Sequence, residues 1–301
     1  MLNVFFSILF VYIFIILGYT AKSIFKEDIN SKTLTVISLY FLQPFVTVWG
    51  FSTVKLNIEH LYVPFIYLGV ILTLLLPTLF IAKSIFTDRK ERAIFTIAGF
   101  VGNTGNIGIP LGIVLFGEQS VIYTTLINIA NVFVIYILGI YIYSRGSFSI
   151  KESIINIFKI PAITSAAIAI GLNLTGVEFN EQFKEFFKMG AYAGIVLQLF
   201  LLGTFLQGIK VQELGKKLFI GVMGQKFILI PLATYILLNL WQIEPLVKNI
   251  LLMQMLTPLA IANINLASIY NCRPKDVTSL ILISTIAFMG IVLLFTHLLQ
   301  T

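Results

Sequence analysis

The segment Gly102-Asn103-Thr104-Gly105-Asn106-Ile107-Gly108-Ile109-Pro110 interrupts a long apolar stretch of this chain. Three glycines, two asparagines and a proline within nine residues disfavour a continuous helix, and unpaired backbone groups are costly in lipid. The segment must therefore face protein or water. One interpretation is a close-packed helix crossing in which the asparagines bond between helices. The combination of polar residues with Pro110 favours a broken helix, whose second half begins near Pro110 because proline suits a first helical turn.

The composition around this segment is that of a membrane protein. Of the 301 residues, 58% are apolar and 11% are charged, against about 25% charged residues in soluble proteins. The 20 basic and 13 acidic side chains are too few to cover a water-soluble domain of this length. Long continuous apolar runs without polar alternation exclude a β-barrel and predict an all-α membrane protein. Ten transmembrane helices are predicted, at residues 4–21, 34–52, 62–82, 93–116, 120–143, 159–174, 187–208, 218–239, 247–270 and 277–299.

The basic residues predict how these ten helices are oriented. Fifteen Lys and Arg residues lie in the odd-numbered connections and four in the even-numbered ones. Because cytoplasmic connections carry the excess of Lys and Arg, the odd connections are expected in the cytoplasm. The chain is thus predicted to be a multi-pass protein of the cell (inner) membrane with both termini outside.

Prolines in the two halves of the chain indicate a duplication. Pro77 and Pro231 are 154 residues apart, and Pro110 and Pro258 are 148 apart. Two five-helix repeats, residues 1–149 and 150–301, fit this spacing. Because five is odd, the second repeat would be inverted, as in many secondary transporters.

Predicted helix 9 contains a second polar interruption. Thr257-Pro258 is followed by Asn263 and Asn265 within an apolar run. If broken helices 4 and 9 cross at mid-membrane, helix ends and amide groups would provide donors and partial positive charge there. Such a site would suit a small organic anion, especially a carboxylate.

These motifs resemble those of a known family. Asn103-Thr104 followed by Gly108-Ile109-Pro110-Leu111 resembles the helix-4 crossover of the auxin efflux carrier family. Pro258 with Leu266-Ala267 and Tyr270 is similar to its helix-9 counterpart, and the stretch from Leu39 to Pro44 is similar to its helix 2. The resemblance covers the whole chain. The short connection from Ser144 to Phe158 resembles that of the compact bacterial type.

The resemblance implies an architecture and a mechanism. Two inverted five-helix repeats would form a scaffold from helices 1, 2, 6 and 7 and a transport domain from helices 3–5 and 8–10. Elevator-type alternating access would carry a carboxylate such as malonate, malate or an auxin-like acid, and a homodimer is implied. The expected substrate-site residues are Asn103, Thr104, Asn106, Pro110, Pro258, Asn263, Asn265 and Gln43, the last in helix 2 facing the crossover. Asn128, Asn131, Gln198 and Gln254 could equally bond one helix to another.

One basic residue, Lys226, lies within a predicted helix, whereas all thirteen acidic residues lie in connections or at helix ends. Lys226 follows Lys217 by nine residues, about 13 Å along a helix. It could extend toward the cytoplasm, or it could face the cavity as a charge that attracts the anion or couples transport. A proton relay built on a buried Asp or Glu has no candidate, and a sodium site would have to rely on carbonyl and amide groups. Either H⁺ or Na⁺ could still be the coupling ion.

Other function classes find little support in the sequence. One cysteine, Cys272, and two histidines, His60 and His297, offer no metal or cofactor site. No Gly-x-Ser-x-Gly or His-Glu-x-x-His motif and no buried nucleophile–base pair indicates an enzyme. The basic residues flank apolar runs and do not form a nucleic-acid-binding patch. Two alternatives stay open beside a secondary carrier: a sodium-coupled symporter of the bile-acid-transporter type, and a passive anion channel.

Overall fold

Helices account for all regular secondary structure over the residues that the computed structural model describes, which are 2–52, 55–144, 150–177, 179–207 and 214–300. The predicted all-α class is confirmed over these ranges. Arg145 and Lys210, both used in the orientation argument, and residue 149 at the proposed repeat boundary lie outside the described residues.

The helices follow one another along the chain with short π-helical or 3₁₀ insertions. The α-helices are α1 (Leu2–Phe25), α2 (Ser31–Val36), α3 (Gln43–Ser52), α4 (Ile58–Leu61), α5 (Val63–Ile85), α6 (Arg89–Ile97), α7 (Ile109–Phe116), α8 (Ser120–Phe133), α9 (Ile140–Tyr143), α10 (Ile150–Phe158), α11 (Pro161–Leu174), α12 (Glu181–Gln207), α13 (Lys216–Gly224), α14 (Ile230–Leu240), α15 (Pro245–Leu256), α16 (Ala262–Ile269) and α17 (Pro274–Gln300). A 3₁₀ turn spans Lys26–Asp28, and π-helical turns span Ile37–Leu42, Thr104–Gly108, Val134–Gly139 and Gln225–Leu229.

Seven helical stretches in the described part of the chain are long and apolar enough to cross a membrane: Leu9–Asp28, Ser31–Ser52, Val63–Ile85, Ser120–Tyr143, Glu181–Gln207, Lys216–Leu240 and Pro274–His297. Three shorter apolar helices, Thr104–Phe116, Pro161–Leu174 and Pro245–Leu256, fall within predicted helices 4, 6 and 9. The chain is therefore a multi-pass helical protein, and the count of ten crossings stays a prediction.

The chain forms two compact units, of which the first comprises Met1–Val63, Gly105–Ile129 and Ile155–Gly208. Its long helices α1 and α12 pack closely at Gly18 and Gly203. A Cβ atom on Gly18 would overlap the carbonyl oxygen of Phe200, and one on Gly203 would overlap that of Ile15. Only glycine allows the two backbones to approach this closely.

A second contact within the first unit is made by Asn173 of α11. Its Oδ1 accepts a hydrogen bond from the N–H of Leu56 at 2.7 Å, and its Nδ2 donates to the carbonyl of Phe51 at 2.7 Å. Both backbone groups lie near the end of α3, where the chain leaves helical geometry. Asn173 thus satisfies them internally, as a low-dielectric surrounding requires.

The second unit comprises Pro64–Thr104, Ala130–Ile154 and Ile209–Thr301. It contains most of α5 together with α6, α9 and α13–α17. Two of its helices begin with an acidic cap: Asp88 accepts from two backbone N–H groups of α6, and Glu244 accepts from two of α15. Each cap pairs donors that would otherwise stay unsatisfied at a helix start.

The Asp88 cap also belongs to an ion cluster around Arg273. The guanidinium lies 2.7 Å from Asp88 Oδ2 and 2.7 Å from Glu91 Oε1. Partial burial opposes ionisation of Asp88, but hydrogen bonds from Arg273 and two backbone N–H groups outweigh it and lower the pKa of Asp88. This interaction stabilises the folded protein fully at pH values above the pKa of about 3.9 that Asp has in an unfolded chain. The stabilisation is lost as the pH falls through the lower pKa that Asp88 has in the folded protein.

The close approach of α1 and α12 predicts how two glycines of the first unit respond to substitution. Gly203→Ala should lower the melting temperature of the purified protein, because the new methyl group must push the Ile15 backbone away, at about 1–3 kcal/mol. Gly171 of α11 has no atom within 4 Å of its Cβ position, so Gly171→Ala should leave the melting temperature unchanged or raise it. Equal melting temperatures for the two variants would contradict the close contact.

Candidate functional site

Two extended segments of the second unit cross between helices. Residues 101–103 follow the end of α6, and residues 258–260 follow α15, with Gly102 paired antiparallel to Leu259. The N–H of Asn103 donates to the carbonyl of Pro258 at 2.8 Å, and the N–H of Ala260 donates to that of Val101 at 2.9 Å. We call these six residues the crossover.

Local sequence explains why the chain is extended there. Thr257 ends α15 with φ −50° and ψ 144°, as expected for a residue before proline. Gly102 is required by space, since a Cβ atom would lie 2.7 Å from Thr257 Oγ1 and 3.2 Å from Lys226 Nζ. The first break thus spans residues 98–103, between the end of α6 at Ile97 and the π-helical turn that begins at Thr104, with Pro110 in the first turn of α7. The sequence had placed the restart near Pro110, six residues later.

Asn131 supports residues 101–103, the first arm of the crossover; residues 258–260 are the second arm. Its Nδ2 donates to the carbonyl of Gly102 at 2.9 Å and to Thr104 Oγ1 at 3.0 Å, while its Oδ1 accepts from the hydroxyl of Tyr67 at 3.1 Å. All four residues are buried. The amide therefore provides a partner for a carbonyl that helical geometry leaves unpaired.

Asn263 supports both arms in a parallel arrangement. Its Nδ2 lies 3.0 Å from the carbonyl oxygen of Val101 and 3.1 Å from that of Ala260, and its Oδ1 accepts from the hydroxyl of Tyr143 at 3.1 Å. The N–H of Leu259 donates to Ser284 Oγ at 3.2 Å. A buried tyrosine thus orients each of the two supporting asparagines.

Lys226 lies beside the crossover and is 1% exposed. Its Nζ donates to the carbonyl oxygen of Gly99 at 2.9 Å, and it forms no ion pair with any described residue. Burial of the ammonium group excludes the interpretation that the side chain extends to the cytoplasmic surface. A lysine carries three N–H donors, so this single bond leaves capacity for a further acceptor.

Three buried side-chain amides of the second unit lack partners among the described residues. Asn103 is 5% exposed and its Nδ2 has no acceptor. Gln225 and Gln254 are buried, and both polar atoms of each side chain are unpaired. Gln225 Oε1 lies 2.8 Å from the position that a Cβ atom on Gly99 would take. The backbone carbonyl oxygen of Gln254 lies 3.7 Å from the position that a Cβ atom on Gly102 would take. Buried unpaired amides are uncommon and are typical of a site that a ligand or water completes.

The second unit brings together four of the residues expected at the site, Asn103, Thr104, Pro258 and Asn263, with the coupling candidate Lys226. Asn265 is exposed on α16. Half-buried Asn106 and buried Pro110 belong to the first unit, as does Gln43, whose Oε1 accepts a hydrogen bond from Gln198 Nε2.

Sequence reasoning missed or undervalued several residues at the crossover. Asn131 and Gln254 are visible as polar residues in apolar runs, but nothing nearby separates them from ordinary interhelical bonding residues. Tyr67 and Tyr143 carry no signal in a chain with twelve tyrosines. Gly99 acts through its carbonyl group, which no sequence pattern reveals.

In comparisons with known proteins, the matched regions of this chain include both segments of the crossover. The family model described as membrane transport protein matches residues 3–153 and 147–296. A protein of Methanocaldococcus jannaschii, named as an uncharacterized transporter, is 27% identical to this chain over 290 residues, which are 92% of this chain and 93% of that protein.

The support of the crossover by Asn263 predicts a contrast between two asparagines of α16. Asn263→Ala should lower the melting temperature, because it leaves the carbonyl of Val101 and the hydroxyl of Tyr143 without their partner, at about 1–3 kcal/mol. Asn265→Ala, the same change on the exposed face, should alter the melting temperature little. A similar loss in both variants would argue against a specific role for Asn263.

Proposed function

Because the chain belongs to the membrane transport protein family, the family of the auxin efflux carriers, we propose that it is a secondary transporter of small organic anions. The substrate class is a carboxylate such as malonate, malate or an auxin-like acid. Its site is the crossover, with Asn103 and Lys226 as the principal donors. The family assignment makes the chain a transport protein and not an enzyme.

The observation that carries the proposal is Lys226, which is buried beside Gly102 and has no ion pair among the described residues, in the unit that also holds three buried amides with unpaired N–H groups. A lysine at the centre of a membrane helix costs about 2.5–3.5 kcal/mol on insertion scales. A carboxylate has only acceptor atoms and would satisfy the ammonium, the Nδ2 of Asn103 and the side-chain N–H groups of Gln225 or Gln254. Hydrogen bonds between an ammonium group and a carboxylate are stronger than bonds between neutral groups, and they are stronger still where water is excluded.

Charge neutralisation also gives Lys226 a role in coupling. A carboxylate group bound to the ammonium forms a neutral pair with it, and moving this pair through the membrane interior costs less than moving either ion alone. A monocarboxylate is neutralised completely in this way, whereas malonate or malate would keep one further negative charge. Lys226 then favours movement of the loaded site over the empty one. Coupling to H⁺ would act on the same ammonium, whereas a Na⁺ site would be made of carbonyl and amide oxygens.

The two compact units support elevator-type alternating access with two inverted repeats. The first unit contains α1–α3, α11 and α12, which correspond to the proposed scaffold, and the second contains α13–α17 and the crossover. Residues of predicted helices 4 and 5 are divided between the units. Gly102 follows the Asp88 cap by fourteen residues and Leu259 follows the Glu244 cap by fifteen, a correspondence that favours duplication.

Transport by the purified protein in liposomes tests the proposal. Labelled malonate, malate and indole-3-acetate are offered under an imposed H⁺ or Na⁺ gradient or none. A carrier is expected to give saturable uptake that internal unlabelled substrate accelerates. A channel would give uptake without this counter-exchange, and movement only with Na⁺ would favour the symporter. If none of the acids moves, the proposed substrate class is wrong.

Lys226 gives the first variant test. Lys226→Gln should lower transport at limiting substrate roughly tenfold or more, because a charge-assisted bond is replaced by a neutral one. Lys216→Gln removes the same charge from the exposed start of α13 and should transport as the unsubstituted protein does. Melting temperatures of both variants control for folding. Unchanged transport by folded Lys226→Gln would contradict the role of Lys226.

Asn103 gives the second test, read through binding alone. Asn103→Ala should weaken the thermal shift produced by a transported acid, with an apparent affinity roughly 2- to 10-fold lower, the value of one neutral hydrogen bond. Asn239→Ala, an exposed position in α14, should leave the affinity unchanged. Equal affinities in the two variants would remove Asn103 from the site.

A further inference from the structure

A pocket of about 380 Å³ lies in the second unit, between α5, α6 and α9, outside the crossover. Three basic residues, Lys83, Arg89 and Arg92, line it together with Thr96 and Tyr141. Its remaining walls are apolar.

The basic groups of the pocket lack acidic partners. Lys83 and Arg89 are exposed and form no ion pair within the described residues. Arg92 donates through Nη2 to the carbonyl of Thr87 at 2.7 Å, while its buried Nε has no acceptor. The acids closest in sequence, Asp88 and Glu91, are paired with Arg273. The pocket therefore offers the positive charge of three side chains, two of them exposed, to an anion from outside the chain.

We propose that this pocket binds a phosphate group, supplied by the head group of an anionic phospholipid. Arginine matches the geometry of phosphate oxygens, and Lys83 adds a point charge. A phosphate fits this volume and the open arrangement of two exposed cations around one partly buried guanidinium.

The surface of α5 favours a lipid as the source of the phosphate. Leu72, Leu76 and Phe80 are each more than half exposed, and their spacing places them on one face of the helix. Lys83 follows Phe80 by three residues and Leu76 by seven, so this apolar face leads to the pocket. A ligand with a phosphate in the pocket and an acyl chain along this face would match both surfaces.

The position of the pocket along the chain agrees with this assignment. Lys83, Arg89 and Arg92 belong to the third connection, which the basic residues predict to be cytoplasmic, and anionic lipids attract juxtamembrane basic residues there. Tyr141 is half-exposed at the pocket, an arrangement typical of tyrosine at the membrane–water interface. The pocket would therefore bind the phosphate of a lipid head group, whereas the crossover would bind the carboxylate of a transported acid.

Lipid retention by the purified full-length protein tests the site. The protein in detergent is titrated with phosphatidylglycerol, phosphatidylcholine or inorganic phosphate, and bound lipid is counted by native mass spectrometry alongside the melting temperature. The pocket variant carries Lys83→Gln, Arg89→Gln and Arg92→Gln. A matched control carries Lys32→Gln, Lys151→Gln and Lys275→Gln, three exposed lysines on the same predicted side. A double variant, Lys83→Gln with Arg89→Gln, serves if the loss of Arg92 impairs folding.

The expected result is preferential retention of phosphatidylglycerol over phosphatidylcholine, weakened roughly tenfold or more in the pocket variant and unchanged in the control. If inorganic phosphate stabilises the protein as well as the lipid does, and only through the same residues, the phosphate site stands and its source is a soluble anion. Retention that is equal for both lipids, or equally reduced in the control, would overturn the proposal. Transport is not part of this measurement, so its outcome is independent of the proposed function.

Discussion

A backbone that leaves helical geometry in a buried region must find hydrogen-bond partners within the protein, and the second unit depends on this constraint at its buried crossover. The two arms pair with each other through only two backbone bonds, so further carbonyl groups need side-chain donors. Asn131 and Asn263 provide them, and Tyr67 and Tyr143 hold the two amides in orientation. Both asparagines are buried because the carbonyl groups that they serve are buried, and the two tyrosines are buried with them.

The same constraint explains how far the site could be read from the sequence. The glycines, asparagines and proline between Gly102 and Pro110 predict an interrupted helix, because these residues are uncommon together within an apolar run. The position of the break depends on which residues pair with the second arm, and this long-range register has no local signal. The break therefore begins after Ile97, upstream of the nine-residue motif, and ends within it at Thr104, while α7 begins at Ile109.

The sequence indicates that Asn103 and Asn263 have polar partners, but it does not indicate which groups those partners are. Asn103 and Asn263 look alike in sequence, as amides within apolar runs that follow a helix break. In the structure the Asn263 side chain is fully used by backbone carbonyls and a tyrosine, whereas Asn103 has an Nδ2 without an acceptor. A polar residue in an apolar run indicates that a partner exists. Whether this partner is backbone or ligand depends on side-chain directions set by the fold.

The two proposed anion sites of the second unit differ in their surroundings, and this difference determines how many charges each would need. At an effective dielectric constant of about 20, two opposite charges 4 Å apart attract by about 4 kcal/mol, against about 1 kcal/mol in water. Lys226 is buried, so one ammonium with a few oriented amides suffices for an anion, and its own burial cost favours a bound partner. Lys83 and Arg89 are exposed to screening, so a site at the membrane surface requires several basic groups and an apolar face to hold the rest of the ligand. One buried cation would suit the proposed substrate, which must be released, whereas three cations at the surface beside an apolar face would suit the proposed lipid, which stays.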